Sequence, residues 1–134
     1  MSPNIEAVRQ FYAALNRGDV PAVTALFAPE IVRVEFEGTP NAGTFRGLAQ
    51  LEAHVAKGRG TWAEGACEPE EFFEHGDKVV ACVHVRVRLK ESGQWVDGRI
   101  ADGFAFRGGK MVEFHSFEKR ADARAWAGIT TGAP

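Results

Sequence analysis

Residues 78–90 alternate between apolar and polar side chains, and this alternation constrains the fold more than any other feature of the chain. Valine, alanine or leucine occupies every odd position from Val79 to Leu89, and the even positions from His84 to Lys90 are polar or charged. A period of two places the odd side chains on one face of a β-strand. Because that face is apolar along a long strand, helices or a ligand cavity must cover it.

Apolar spacing and turn residues predict the elements on both sides of this strand. Apolar residues three and four positions apart predict a helix that begins after Ser2 and Pro3 and ends at Gly18. A second short helix begins at Asp19, which can cap it, and stops before Pro29. The remaining predictions are a strand at 31–36, a loop at 38–45, a helix at 47–57, strands at 95–107 and 111–118, and a helix at 121–126. Helices followed by a run of antiparallel strands indicate an α+β fold.

The composition is that of one globular domain over residues 1–134, with 45% hydrophobic residues and a net charge of −2. Acidic and basic residues are interspersed, which argues against nucleic acid and anionic membranes as partners. The sequence has no apolar run of about 20 residues, and its first residues lack the pattern of a signal peptide. Cys67 and Cys82 are too few for a disulfide framework, so reduced thiols in a cytoplasmic protein are favoured over a single structural bridge.

Three segments carry a family resemblance: AVRQFYAALNRGDVPAVTALFAPE, GTFRGLAQLEAHV and DGFAFRGGKMVEFHSFE. They resemble the SnoaL-like and ketosteroid isomerase-like branch of the nuclear transport factor 2-like superfamily, and the similarity covers nearly the whole chain. The resemblance implies a cone-shaped, curved mixed sheet wrapped around three helices, a cystatin-like α+β barrel with a deep pocket at its open end. It also implies a homodimer formed through the outer sheet face. This fold hosts isomerases, dehydratases, cyclases, epoxide hydrolases and non-enzymes, so it does not fix the function.

Asp102 lies within the apolar stretch GRIADGFAF and shares a strand face with Ile100, Phe104 and Phe106. A buried, unpaired carboxylate is costly, and it stays neutral or finds a partner. We therefore expect Asp102 to point into a pocket; the alternative is a paired aspartate on a polar rim. The resemblance gives it a role, because ketosteroid isomerases hold a protonated acid at the matching position that donates a hydrogen bond to a developing oxyanion.

Glu35 matches the position of the general base in ketosteroid isomerases, and alternation places it on the face opposite Val34 and Phe36. The alternative is a solvated strand residue, as Glu37 is expected to be. Two carboxylates whose environments separate their pKa values form a common acid–base device. Asp102 and Glu35 are therefore the candidate catalytic residues.

Aromatic residues supply the candidate ligand contacts. The tyrosine that donates to the oxyanion in the isomerases is replaced by Phe11, which has no hydrogen-bond donor. Tyr12 points about 100° further round the helix, so it is not a simple substitute, and efficient steroid isomerisation is disfavoured. The residues expected to line the pocket are Phe11, Tyr12, Trp62, Phe104 and Phe114.

The hairpin at 108–109 allows two registers. A two-residue turn would place Asp102 opposite His115, where the two side chains could form a dyad. A three-residue loop at 107–109 would place Asp102 opposite Phe114 and turn His115 to the outer face. The family's hairpin favours the three-residue loop.

The remaining histidines do not form a metal-binding pattern. They are scattered, with no HxH or HxxxH spacing, and we expect His54 and His75 to be exposed and His84 to lie on the outer face. We therefore predict no metal and no cofactor. Two functions stay open: a cofactor-independent isomerase, cyclase or dehydratase acting on a small apolar or carbonyl-containing molecule, and a non-catalytic ligand-binding or dimeric interaction module.

Overall fold

The computed structural model describes residues 2–39 and 41–129. The helices are α1 (Pro3–Asn16), α2 (Val20–Thr24), α3 (Gly47–Arg59) and α4 (Arg120–Trp126). The strands are β1 (Phe27–Glu35), β2 (Gly43–Arg46), β3 (Trp62–His75), β4 (Lys78–Leu89), β5 (Trp95–Arg107) and β6 (Lys110–Phe117). Within the described residues, none of the helices combines the length and the apolarity needed to cross a membrane.

The first two helices begin at the caps that the sequence predicted. The Ser2 hydroxyl accepts a hydrogen bond from the backbone N–H of Ile5 at 3.1 Å, and Asp19 accepts from that of Ala22 at 3.1 Å. Gly18, with a φ of 74°, lets the chain turn between the two helices because glycine tolerates the left-handed region. Local side-chain chemistry therefore fixes this part of the fold.

The strands form one curved, unclosed mixed sheet in the order β2-β1-β6-β5-β4-β3. Neighbouring strands are antiparallel except β1 and β6, which are parallel. The odd positions of β4, Val79, Ala81 and Val83, pack in the main core with Val8 of α1 and Leu51 of α3. The predicted α+β cone is confirmed.

Three elements near the sheet edges differ from the prediction. β3 was not predicted, because it contains five glutamates together with Gly65 and Pro69, residues that strands seldom contain. Its place at one edge explains this composition, since charges on an edge strand hinder unwanted pairing. At the other edge, β2 occupies part of the predicted loop, and β1 begins at Phe27, which lies within the predicted second helix.

The β5–β6 hairpin has neither of the registers derived from the sequence. Arg107 pairs with Lys110, so residues 108–109 form the two-residue turn, but Val112 is an extra residue that forms a bulge in β6. The bulge shifts the pairing by one position and places Asp102 opposite Ser116 rather than His115 or Phe114. Both predicted pairings are wrong because the bulge depends on packing that local sequence does not reveal.

Helix α4 covers part of the outer sheet face, on the side away from α1. Ala123 and Trp126 of α4 pack with Val80 of β4 and Ala101 of β5, while the ring of His115 lies 5.0 Å from that of Trp126. His115 therefore faces outwards, as expected. Beyond α4 the outer face carries ion pairs such as Arg99–Glu70 at 2.8 Å, and self-association through this face stays a prediction.

Gly103 allows α4 to approach the sheet, and its replacement should destabilise the fold. A Cβ atom at this position would lie 2.5 Å from the Trp126 ring, whereas one at Gly98 of the same strand would meet no atom within 4 Å. We expect Gly103→Ala to lower the free energy of unfolding by about 1–3 kcal/mol, and Gly98→Ala to change it much less. Urea denaturation of both variants measures the difference, and equal losses would contradict the proposed contact.

Candidate functional site

A connected set of polar side chains runs from the interior of the sheet to its rim. It begins at Tyr12 and Asp102, continues through Ser116 and Arg33, and ends at Glu35 and His54. We call this set the polar network. It joins α1, three strands and α3, so the curvature of the sheet brings its members together.

Asp102 forms the inner end of the network and is only 4% exposed. The Tyr12 hydroxyl donates to Asp102 Oδ2 at 2.5 Å, and the Ser116 hydroxyl donates to Asp102 Oδ1 at 2.6 Å. The sheet wraps far enough round α1 to bury both Phe11 and Tyr12 at 2% exposure. Tyr12 therefore donates to the acid itself, and its role towards a ligand stays a prediction.

Opposing effects act on the pKa of Asp102. Burial raises the pKa of Asp102 above its ordinary value, although the charge of Arg33 and the hydrogen bonds from Ser116 and Tyr12 oppose the rise. Burial, together with the neighbouring Asp102, also raises the pKa of Tyr12 well above that of free tyrosine. Tyr12 consequently keeps its proton and remains a hydrogen-bond donor.

Arg33 forms the centre of the network, and sequence reasoning missed it. Its guanidinium is 5% exposed and donates through Nη2 to Ser116 Oγ at 2.9 Å and to Glu35 Oε1 at 3.1 Å. Nη1 donates to the carbonyl of Val34 at 2.7 Å, and the guanidinium lies 3.8 Å from the Phe114 ring centroid. Burial lowers the pKa of Arg33, while Asp102 and Glu35 counteract this effect and support the cation.

Glu35 and His54 form the outer end of the network. His54 Nε2 lies 3.2 Å from Glu35 Oε2 and 3.1 Å from the carbonyl oxygen of Asn41. Burial raises the pKa of Glu35, but the hydrogen bond from His54 and the charge of Arg33 outweigh it, so the pKa lies below the ordinary value. The expectation that His54 is exposed is wrong: its side chain is 8% exposed because α3 packs against β1.

A surface cleft of about 580 Å³ lies beside this outer end, between β2 and α3. We call it the β2–α3 cleft. Its lining residues are Asn41, Ala42, Thr44, Phe45, Gln50, Ala53, His54 and Lys57. The Phe45 ring centroid lies 4.0 Å from that of His54, so an aromatic wall adjoins the end of the network.

The residues expected to contact a ligand lie elsewhere. Phe11 makes edge-on contacts with the rings of Tyr12, Phe104 and Phe114 at 4.9 to 5.5 Å, so these side chains pack against one another in the core. Trp62 is half-buried beneath Arg59, whose guanidinium lies 4.7 Å from its ring centroid. None of the five lines the β2–α3 cleft.

Asp102 and Tyr12 should be energetically coupled. A hydrogen bond to a charged group contributes about 1.5–3 kcal/mol, so Tyr12→Phe should lower the free energy of unfolding by that amount. In an Asp102→Asn background the same change should cost less by at least about 0.5 kcal/mol. Urea denaturation of the four proteins tests this, and additive losses would show that the two side chains do not interact.

The two acids of the network should titrate on opposite sides of their ordinary pKa values. Because the pKa of Asp102 is raised, its contribution to stability falls as pH rises from the ordinary aspartate range through the raised value. Because the pKa of Glu35 is lowered, its contribution is lost as pH falls through the lowered value. A ¹³C NMR titration of the side-chain carboxyls measures both midpoints, and an Asp102 midpoint below the ordinary aspartate value, or a Glu35 midpoint above the ordinary glutamate value, would contradict the described environments.

Comparison with known proteins gives the same family and fold. A protein-family model of the SnoaL-like domain matches residues 8–114. An uncharacterised protein of Mycobacterium tuberculosis is 27% identical over 128 residues, or 92% of this chain and 96% of the relative.

An NTF2-like protein of unknown function from Burkholderia pseudomallei superimposes with a TM-score of 0.80 at 27% identity, covering 93% of this chain and 97% of the other. A Catenulispora acidiphila protein with a ketosteroid isomerase-like fold has a TM-score of 0.75 at 17% identity, over 96% and 97% of the two chains, which shows the fold alone. The chain belongs to the SnoaL-like domain family of the nuclear transport factor 2-like fold.

Proposed function

We propose that the protein binds a small carbonyl-containing molecule in the β2–α3 cleft and transfers a proton on it without a cofactor. The observation that carries this proposal is the Glu35–His54 pair, which lies where the cleft adjoins the polar network. The pair combines a carboxylate with an imidazole, the two side chains used most often for general acid–base catalysis. Reactions of this class include isomerisation, cyclisation and dehydration.

The hydrogen bonds of His54 fix the form of its ring. Both neighbours of Nε2, the Glu35 carboxylate and the Asn41 carbonyl, are acceptors, so the proton must reside on Nε2. Nδ1 then carries the lone pair that can accept a proton from a bound molecule. Glu35 holds the ring in this tautomer and stabilises the imidazolium that proton transfer produces.

The reaction itself needs only one proton and no redox partner. His54 takes a proton from the carbon next to the carbonyl group, and the electron pair of the broken C–H bond passes to the carbonyl oxygen as an enolate. The proton then returns from the imidazolium to the same or another atom of the molecule. The amide side chains of Asn41 and Gln50, the Thr44 hydroxyl and the Lys57 ammonium, which line the cleft, are candidate donors to the enolate oxygen.

In this proposal Asp102 is a positioning residue. Asp102 does not contact the cleft, because Ser116 and Arg33 lie between the two. Asp102 helps to balance the charge of Arg33, and Arg33 in turn keeps Glu35 ionised. Direct protonation of a ligand by Asp102 would require the packed rings around Phe104 to move. His54 is therefore the group that we place against the bound molecule, and Glu35 acts through it.

Replacement of Glu35 or His54 should slow proton exchange on a bound ketone. Wild-type protein in D₂O should incorporate deuterium next to the carbonyl of small enolisable ketones and esters, followed by proton NMR. General base catalysis contributes about 10²–10⁴-fold, so Glu35→Gln and His54→Gln should each slow incorporation by at least about 100-fold. The matched control is Glu37→Gln, which changes an exposed carboxylate two residues away and should keep the wild-type rate.

The test separates catalysis from binding. Chemical shifts of Phe45 and His54 report occupancy of the cleft whether or not deuterium is incorporated. Shifts without exchange above the buffer rate would overturn the catalytic proposal in favour of a ligand-binding module. Wild-type protein that shows neither shifts nor exchange with the whole panel would overturn the site as well.

A further inference from the structure

The lining of the β2–α3 cleft is positively charged. Among residues 2–39 and 41–129, those that line it include Lys57 but no acid, and its other polar side chains are neutral amides, a hydroxyl and an imidazole. Lys57 is exposed on α3, and no acid stands three or four positions away from it on either side along the chain. The ammonium group is therefore available to an anionic ligand.

Two aromatic rings packed against each other accompany this charge. The Phe45 and His54 rings lie 4.0 Å apart with their planes inclined by 36°, and Phe45 is half-buried. Aromatic rings prefer offset-stacked or edge-on contacts with other planar groups, which favours a flat ligand over a puckered one. The cleft volume of about 580 Å³ falls in the range of small-molecule sites.

The spacing of Lys57 and His54 links the charge to the proposed chemistry. The two residues stand three positions apart on α3, which separates their Cβ atoms by about 5–6 Å on one helix face. Both residues line the cleft, so an anion held by Lys57 would lie on the same side of it as His54.

We propose that the natural ligand of the β2–α3 cleft is a planar organic anion, an aromatic or conjugated carboxylate whose charge is bound by Lys57 and whose ring lies against Phe45. This inference rests on the proposed function in one respect only, the location of the binding site. The negative charge of Glu35 does not oppose it, because Arg33 at 3.1 Å and His54 at 3.2 Å both contact that carboxylate.

The experiment compares benzoate with two probes, each of which lacks one of its two relevant properties. Benzoate is planar and anionic, benzamide is planar and neutral, and cyclohexanecarboxylate is anionic and not planar. NMR titration of wild-type protein should give benzoate the lowest dissociation constant, and added salt should weaken its binding because the charges are exposed. Lys57→Gln should raise the benzoate dissociation constant by about fivefold and leave that of benzamide unchanged. Lys119→Gln, which removes an exposed lysine at the start of α4 on the outer sheet face, is the matched control.

The result that would overturn the inference is equal affinity for benzoate and benzamide, or a benzoate preference that persists in Lys57→Gln. A preference for cyclohexanecarboxylate would overturn the planar requirement. Failure of the two proposals is distinguishable. Glu35-dependent exchange on neutral ketones without a preference for anions would refute only this inference, whereas anion binding through Lys57 without exchange would refute only the catalytic proposal.

Discussion

Arg33 brings a permanent positive charge into the interior of the sheet, and the arrangement around it depends on neutralising that charge. Removing one partner of a buried ion pair costs about 3–5 kcal/mol, a large part of the stability of a small domain. The guanidinium is bound by Ser116, Glu35 and main-chain carbonyls, and Asp102 lies one hydrogen bond further on. Strands β1, β5 and β6 must keep their register to preserve these bonds.

This constraint also determines where chemistry can occur. The inner end of the network is enclosed by packed aromatic rings, so Asp102 and Tyr12 contribute rigidity. The outer end at Glu35 adjoins an open cleft, where a side chain can meet a solute without disturbing the core. A fold organised in this way can vary the residues of β2 and α3 while the buried part stays unchanged, which fits a fold that hosts many different activities.

Sequence patterns determined the elements that local chemistry specifies. The alternation in β4 and the face of Asp102 followed from period-two patterning, and the helix starts followed from capping residues. Arg33 was missed although it alternates in phase with Ile31, because a basic residue in a short strand is usually solvated. The burial of His54 and the bulge at Val112 depend on how α3 meets β1 and how β6 meets β5, and such long-range contacts leave no local signal.

The network contains one permanent cation and two carboxylates, so its charge depends on which acid takes up a proton first. The environments of the two acids differ in a definite direction: burial raises the pKa of Asp102, while His54 and Arg33 lower that of Glu35. As pH falls, Asp102 therefore takes up a proton more readily than an ordinary aspartate, and Glu35 less readily than an ordinary glutamate. Glu35 thus keeps its negative charge and continues to orient His54 to a lower pH than an ordinary glutamate would.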